Sequence, residues 1–167
     1  MFLKSHHIAL GLSLLITAAT AHAVPKVGDK FGNWLFECKA LAANKTACVL
    51  SQTLSQAKTK QRVLRITLNR QENSQEFQIV AVAPLGIHIP TGVTGTIDKG
   101  VSIPFTLQTC AKQGCIATAK ADRKLINALK SGKNIEISFV ANTHSKRITL
   151  NISLDGVTAG INALERK

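Results

Sequence analysis

The four cysteines constrain this chain more than any other feature, because an exported chain with an even number of them is built around disulfides. They are Cys38, Cys48, Cys110 and Cys115. Export is read from the first residues. Residues 1–7 carry one formal charge, at Lys4, and residues 8–19 form a nearly unbroken apolar run. Ala21-His22-Ala23 then supplies the small residues that a signal peptidase requires. This layout predicts a secretory signal peptide over residues 1–23, cleaved after Ala23. A membrane-spanning helix needs about 20 apolar residues. The run is shorter than that, and no transmembrane segment is expected after it.

Four cysteines permit three pairings. The spacing favours Cys38–Cys48 and Cys110–Cys115, since each pair is close in sequence. A zinc site fits poorly: Cys110 and Cys115 have the spacing of half a site, but nine residues separate Cys38 from Cys48, too many for the other half. A redox Cys-x-x-Cys is absent. Structural disulfides are the reading, and no metal or other cofactor is expected.

Cleavage would leave 144 residues, enough for one domain with a real core. Residues 24–30 read as a mobile leader rich in turn formers, and residues 31–167 as a single domain. Short alternating runs dominate it. In the stretch 62–70, Leu64, Ile66 and Leu68 share one face while Arg65, Thr67 and Asn69 share the other, the pattern of a half-buried strand. Residues 77–82 read as its hairpin partner. Trp34 and Cys38 share a strand face by the same period of two.

Residues 83–93, dense in Pro and Gly, suit a crossover or a bulged edge. Pro104 should confine the predicted strand 101–108 to an edge or bulge. One helix is expected over 122–132, with Asp122 as its cap, an apolar stripe of Leu125, Ile126 and Leu129, and Gly132 ending it in a left-handed conformation. Residues 157–167 read as a short, weakly amphipathic helix or tail. Eight or nine short strands with one short helix imply an all-β, two-sheet β-sandwich, immunoglobulin-like or jelly-roll-like.

The formal charge is +12, or +11 without Lys4. A surface this positive attracts anionic partners. The competing reading is that scattered Lys keeps the protein soluble and its strand edges apart. The candidate anionic-partner surface is Arg62, Arg65 and Arg70 on one strand with Lys120, Arg123 and Lys124 at the helix.

Catalytic patterns are missing. His88 and His144 lie far apart in different loops, and there is no Gly-x-Ser-x-Gly or phosphate-cradling glycine loop. The nine acidic residues are scattered. With no Tyr and one Trp, the chain lacks the stacking platforms of a specific nucleic-acid or glycan reader.

Several landmarks occur in a recognisable order: 32–38 as Gly-Asn-Trp-Leu-Phe-Glu-Cys, Cys48, the stretch 85–93, Pro104-Phe105, the loop from Cys110 to Cys115, and Ser153-Leu154-Asp155-Gly156. In that order they resemble the bacterial invasion-associated locus B family, over nearly all of the mature part. The resemblance implies an exported, β-sandwich-like protein and carries no catalytic residues with it. Two readings follow. One is a non-catalytic binding or accessory protein, periplasmic, outer-membrane-associated or secreted. Its partner would be a protein or an anionic envelope or host surface, met at β-edges or the Pro/Gly-rich loops. The other is an envelope enzyme whose site is assembled only in the fold, with His88 or His144 gathered beside a carboxylate.

Overall fold

The computed structural model describes residues 24–42, 45–71, 76–141 and 146–166. These form two antiparallel sheets and two helices. The larger sheet holds β1 (Lys30–Phe31), β2 (Trp34–Ala42), β3 (Lys45–Ser55), β4 (Arg62–Arg70), β5 (Phe77–Ala83), β8 (Thr106–Ala111) and β9 (Gly114–Ala121), in the order β1-β2-β3-β4-β5-β9-β8. The smaller holds β6 (Val93–Ile97), β7 (Val101–Ile103), β10 (Asn134–Ala141) and β11 (Lys146–Ser153), in the order β11-β10-β6-β7. Five consecutive strands thus form a meander, and the chain then visits the second sheet twice.

The alternation seen in the sequence places the core. Leu64, Ile66 and Leu68 are all buried on the inner face of β4, with Phe77 and Ile79 of β5 beside them. Ile135, Ile137 and Phe139 of β10 face them from the second sheet. Trp34 and Phe36 share the inner face of β2, and the Trp34 indole N–H donates to the Ser153 carbonyl at 3.0 Å. The ring is therefore buried with its one donor satisfied.

Two of the three passages between the sheets sit where Pro and Gly break the pattern, and the third runs from β9 to β10. Residues 84–92 carry the chain from β5 to β6, with Gly86 and Gly92 at positive φ. The expected strand 101–108 is two strands, β7 in the smaller sheet and β8 in the larger, divided at Pro104. Proline has no N–H to give a ladder, so the chain leaves one sheet there and enters the other. This division and the short β1 help raise the described strands to eleven, where eight or nine were expected.

The helices differ from expectation in two ways. In α1 (Arg123–Ser131) the Asp122 carboxylate accepts from the Leu125 N–H at 2.8 Å, the anticipated cap. Gly132, however, is extended, at φ −79°. Close packing rather than a left-handed turn favours glycine there: a Cβ would lie 2.6 Å from Ile97 Cγ2. The C-terminal segment is a second core helix, α2 (Val157–Glu165), packed on β1 to β4. Its buried Val157, Gly160, Ile161 and Leu164 follow the helical period. Gly160 lets it approach, since a Cβ there would meet Leu50 Cδ1 at 2.5 Å.

The leader is also held. Gly28 N–H donates to the Phe36 carbonyl and Phe36 N–H to the Asp29 carbonyl, each at 2.8 Å. Residues 28–29 therefore extend the edge of β2 in the manner of a strand.

The disulfides are Cys38–Cys48 and Cys110–Cys115. Each joins residues directly opposite in a ladder, β2 with β3 and β8 with β9. No helix among the described residues is long and apolar enough to cross a membrane.

Candidate functional site

β4 is the ruler for the basic residues. Arg62 and Arg70 stand at its two ends. Eight residue steps of about 3.4 Å put them roughly 27 Å apart. The fold therefore spreads the six expected basic residues, Arg62 at one end of the sandwich, Arg65 midway and the other four towards the opposite end.

At one end, the Arg62 guanidinium donates to the Gln113 carbonyl in the loop closed by the Cys110–Cys115 bridge. Arg62, Lys112 and Gln113 line a cleft of about 340 Å³ with Pro84 and Leu85. Between the ends, Arg65 lies on the outer face of the sheet and is paired with the Glu37 carboxylate at 2.5 Å. The same carboxylate oxygen accepts from the Ser51 hydroxyl at 2.5 Å. Arg65 is therefore neutralised and about two-thirds covered, with 31 % of its side chain exposed. It is not the open cation that the alternation of β4 implied.

The other end gathers the rest. Asn69 pairs with Gln78 and Gln78 with Lys120, so the register brings the Arg70 end of β4 towards Lys120 across β5. Arg70 donates to the Glu165 carbonyl at 3.3 Å, tying β4 to the end of α2. Lys120 is exposed at the end of β9, just before α1, and Arg123 and Lys124 are exposed in the first turn of α1. Lys120 and Lys124 line one cleft of about 350 Å³ together with Ser102, Pro104 and Asp122.

The electrostatics of this cleft are one-sided. A helix N-terminus carries a partial positive charge and favours acidic side chains. The first turn of α1 has none and carries Arg123 and Lys124 instead. Asp122 is the one carboxylate lining the cleft, and it bonds the Leu125 N–H. The Glu37–Arg65 and Lys130–Glu165 ion pairs do not involve Lys120, Arg123 or Lys124. Unfavourable like charge of this kind is relieved when an anion enters.

His88 hydrogen-bonds its own turn, Nδ1 to Thr91 Oγ1 at 2.6 Å. His144 lies outside the described residues. No cluster of three His, Cys, Asp or Glu able to hold a metal occurs among the described residues. Sequence reasoning missed a polar cleft on the outer face of the second sheet, lined by Asp98, Lys99, Asn134, Glu136 and Asn151. Asp98 accepts from the Lys133 and Asn134 N–H groups at 2.8 and 2.9 Å, so its carboxylate serves the β6–β10 junction.

The model of the Invasion associated locus B (IalB) protein family matches residues 34–165, from Trp34 through α2. The chain belongs to the IalB family. Two IalB relatives from Brucella abortus, strain 2308 and biovar 1 strain 9-941, are each named an invasion protein B homolog. Each is 32 % identical over 166 residues, covering 94 % of this chain and 95 % of the relative. The crystal structure of invasion associated protein B from Bartonella henselae superposes with a TM-score of 0.73 at 20 % identity, covering 83 % of this chain and 94 % of that one. At that identity the likeness shows a shared IalB fold.

Proposed function

We propose that the mature chain is an exported, non-catalytic binding protein that acts in contact between the bacterium and host cells, and that it engages anionic groups at the Lys120–Lys124 cleft. The observation that carries this reading is the first turn of α1. It sets Arg123 and Lys124 at the positive end of a helix, beside Lys120, with one carboxylate already committed to the cap. The formal charge of +11 on residues 24–167 adds long-range attraction to the same class of partner. The invasion-protein names of the Brucella relatives support the host-contact part, as does the disulfide framework for export.

Two experiments test it. Sedimentation of residues 24–167 with phosphatidylcholine vesicles, with and without phosphatidylserine, should show binding to the anionic vesicles alone. The pair K120E/K124E should abolish it with the fold intact by circular dichroism. Equal binding to neutral vesicles would refute the anionic reading. Separately, a deletion strain should lose host-cell uptake while its envelope stays tight to dyes and detergents. Envelope defects in host-free culture would move the role to envelope upkeep.

A further inference from the structure

The four outer strands of the two sheets are not alike. An open strand edge invites another chain, and proteins blunt such edges by shortening, bulging or proline. β1 has two residues, and the leader continues its line along β2 through the Gly28 and Asp29 bonds to Phe36. β7 has three residues and ends at Pro104. β8 is bulged between Leu107 and Thr109. β11 has eight residues, pairs with β10 in unbroken register, and carries neither bulge nor proline.

The hydrogen bonds show which backbone groups β11 leaves open. Ser153 N–H donates to Gln52 Oε1 at 3.1 Å, and Gln52 Nε2 donates to the Ser153 carbonyl at 2.9 Å. The Gln52 amide therefore does for Ser153 what a neighbouring strand would do. Along a strand, alternate residues direct their backbone groups to the same side. Arg147, Thr149 and Asn151 thus share the direction of Ser153, away from β10. All three are exposed, and among the described residues no backbone bond engages them on that side. The row facing the core beside this edge holds Ile148 and Leu150, which are half-buried and packed against the core. Exposed Lys146 and Arg147 stand at its start.

We propose that the β11 edge is a strand-addition site for an extended, acidic segment of a partner protein. Backbone groups at Arg147, Thr149 and Asn151 would pair with it, and Gln52 marks where the added strand must stop. Apolar side chains at alternate positions would lie on Ile148 and Leu150, and a carboxylate would meet Lys146 and Arg147. This is the general logic of strand augmentation, where the main chain supplies affinity and alternate side chains supply selectivity. Charge decides the occupant: a formal +11 on residues 24–167 opposes a second copy and favours an acidic chain. The edge is separate from the Lys120–Lys124 cleft, so its failure would leave vesicle binding untouched, and the reverse.

The probe is a synthetic peptide of alternating valine and threonine with a glutamate at each end, added to residues 24–167. Amide hydrogen exchange at Arg147, Thr149 and Asn151 should slow at least tenfold at saturation, with exchange in β8 unchanged. Thr149→Pro removes one open N–H and spares the backbone ladder to β10, losing with it the Thr149–Ser138 hydroxyl bond at 2.8 Å that Thr149→Ala also loses, and should weaken peptide binding at least tenfold. Thr149→Ala should bind as the parent does, which separates backbone pairing from side-chain contact and shows that the site tolerates change. A peptide with lysine in place of glutamate should bind more weakly, and K146E/R147E should reverse that order. Unchanged exchange at the three amides up to millimolar peptide would overturn the proposal. Equal loss in the Thr149→Ala variant would do so too, as would protection that appears without peptide and grows with protein concentration, the mark of a second copy.

Discussion

Asp122 has two effects that pull in opposite directions. Its carboxylate closes the start of α1 by accepting from the Leu125 N–H, and it is also the one negative charge lining the Lys120–Lys124 cleft. Asn is about as good an N-cap as Asp, whereas Ala has no acceptor and costs about 1 kcal/mol. Asp122→Ala should therefore lower stability by about 1 kcal/mol in urea unfolding, while Asp122→Asn leaves it nearly unchanged. Both should tighten binding to anionic vesicles. Weaker vesicle binding in Asp122→Asn, with the fold retained, would place the anion elsewhere. The cap was legible in the sequence because it depends on residues three apart. The state of Arg65 was not. Its partner Glu37 comes from β2, two strands away, with Ser51 of β3 bonded to the same oxygen. Only the register of three strands shows that this cation is already paired.

At the scale of elements, the two disulfides bridge hairpins that the ladder already pairs, so they act mainly on the unfolded chain. In the chain-entropy account, closing the shorter loop contributes about 2 kcal/mol and the longer about 3 kcal/mol. Cys38→Ser/Cys48→Ser should accordingly lower the urea midpoint more than Cys110→Ser/Cys115→Ser. The reverse order would mean that the 110–115 bridge also holds the β8 edge in its folded shape. Alternating strands such as β4 and β10 were readable because their inner and outer residues differ in kind. The division of 101–108 was not, although its cause is a single residue. Pro104 forbids a central strand, but an edge strand, a bulge and a change of sheet all satisfy that rule. The C-terminal helix was read as a possible tail for a similar reason. Its Gly160 and small residues look weakly amphipathic until Leu50 is seen packed against that glycine.

For the whole molecule, the question is whether binding follows net charge or one place on the surface, and the geometry of β4 allows a clean separation. Its two ends are about 27 Å apart, while the screening length at physiological salt is about 8 Å. At that ionic strength the Arg62–Lys112 end and the Lys120–Lys124 end are electrically independent. The variants R62E/K112E and K120E/K124E change the formal charge equally, from +11 to +7 on residues 24–167. With a local site, K120E/K124E should weaken binding to anionic vesicles at least tenfold in physiological salt, and R62E/K112E by less than about twofold. Near 0.01 M salt the screening length grows to about 30 Å, longer than the separation. Both ends then act on the vesicle together, and the two variants should converge. Equal losses in physiological salt would mean diffuse attraction by the whole charge. No loss in either would mean that the basic residues serve solubility.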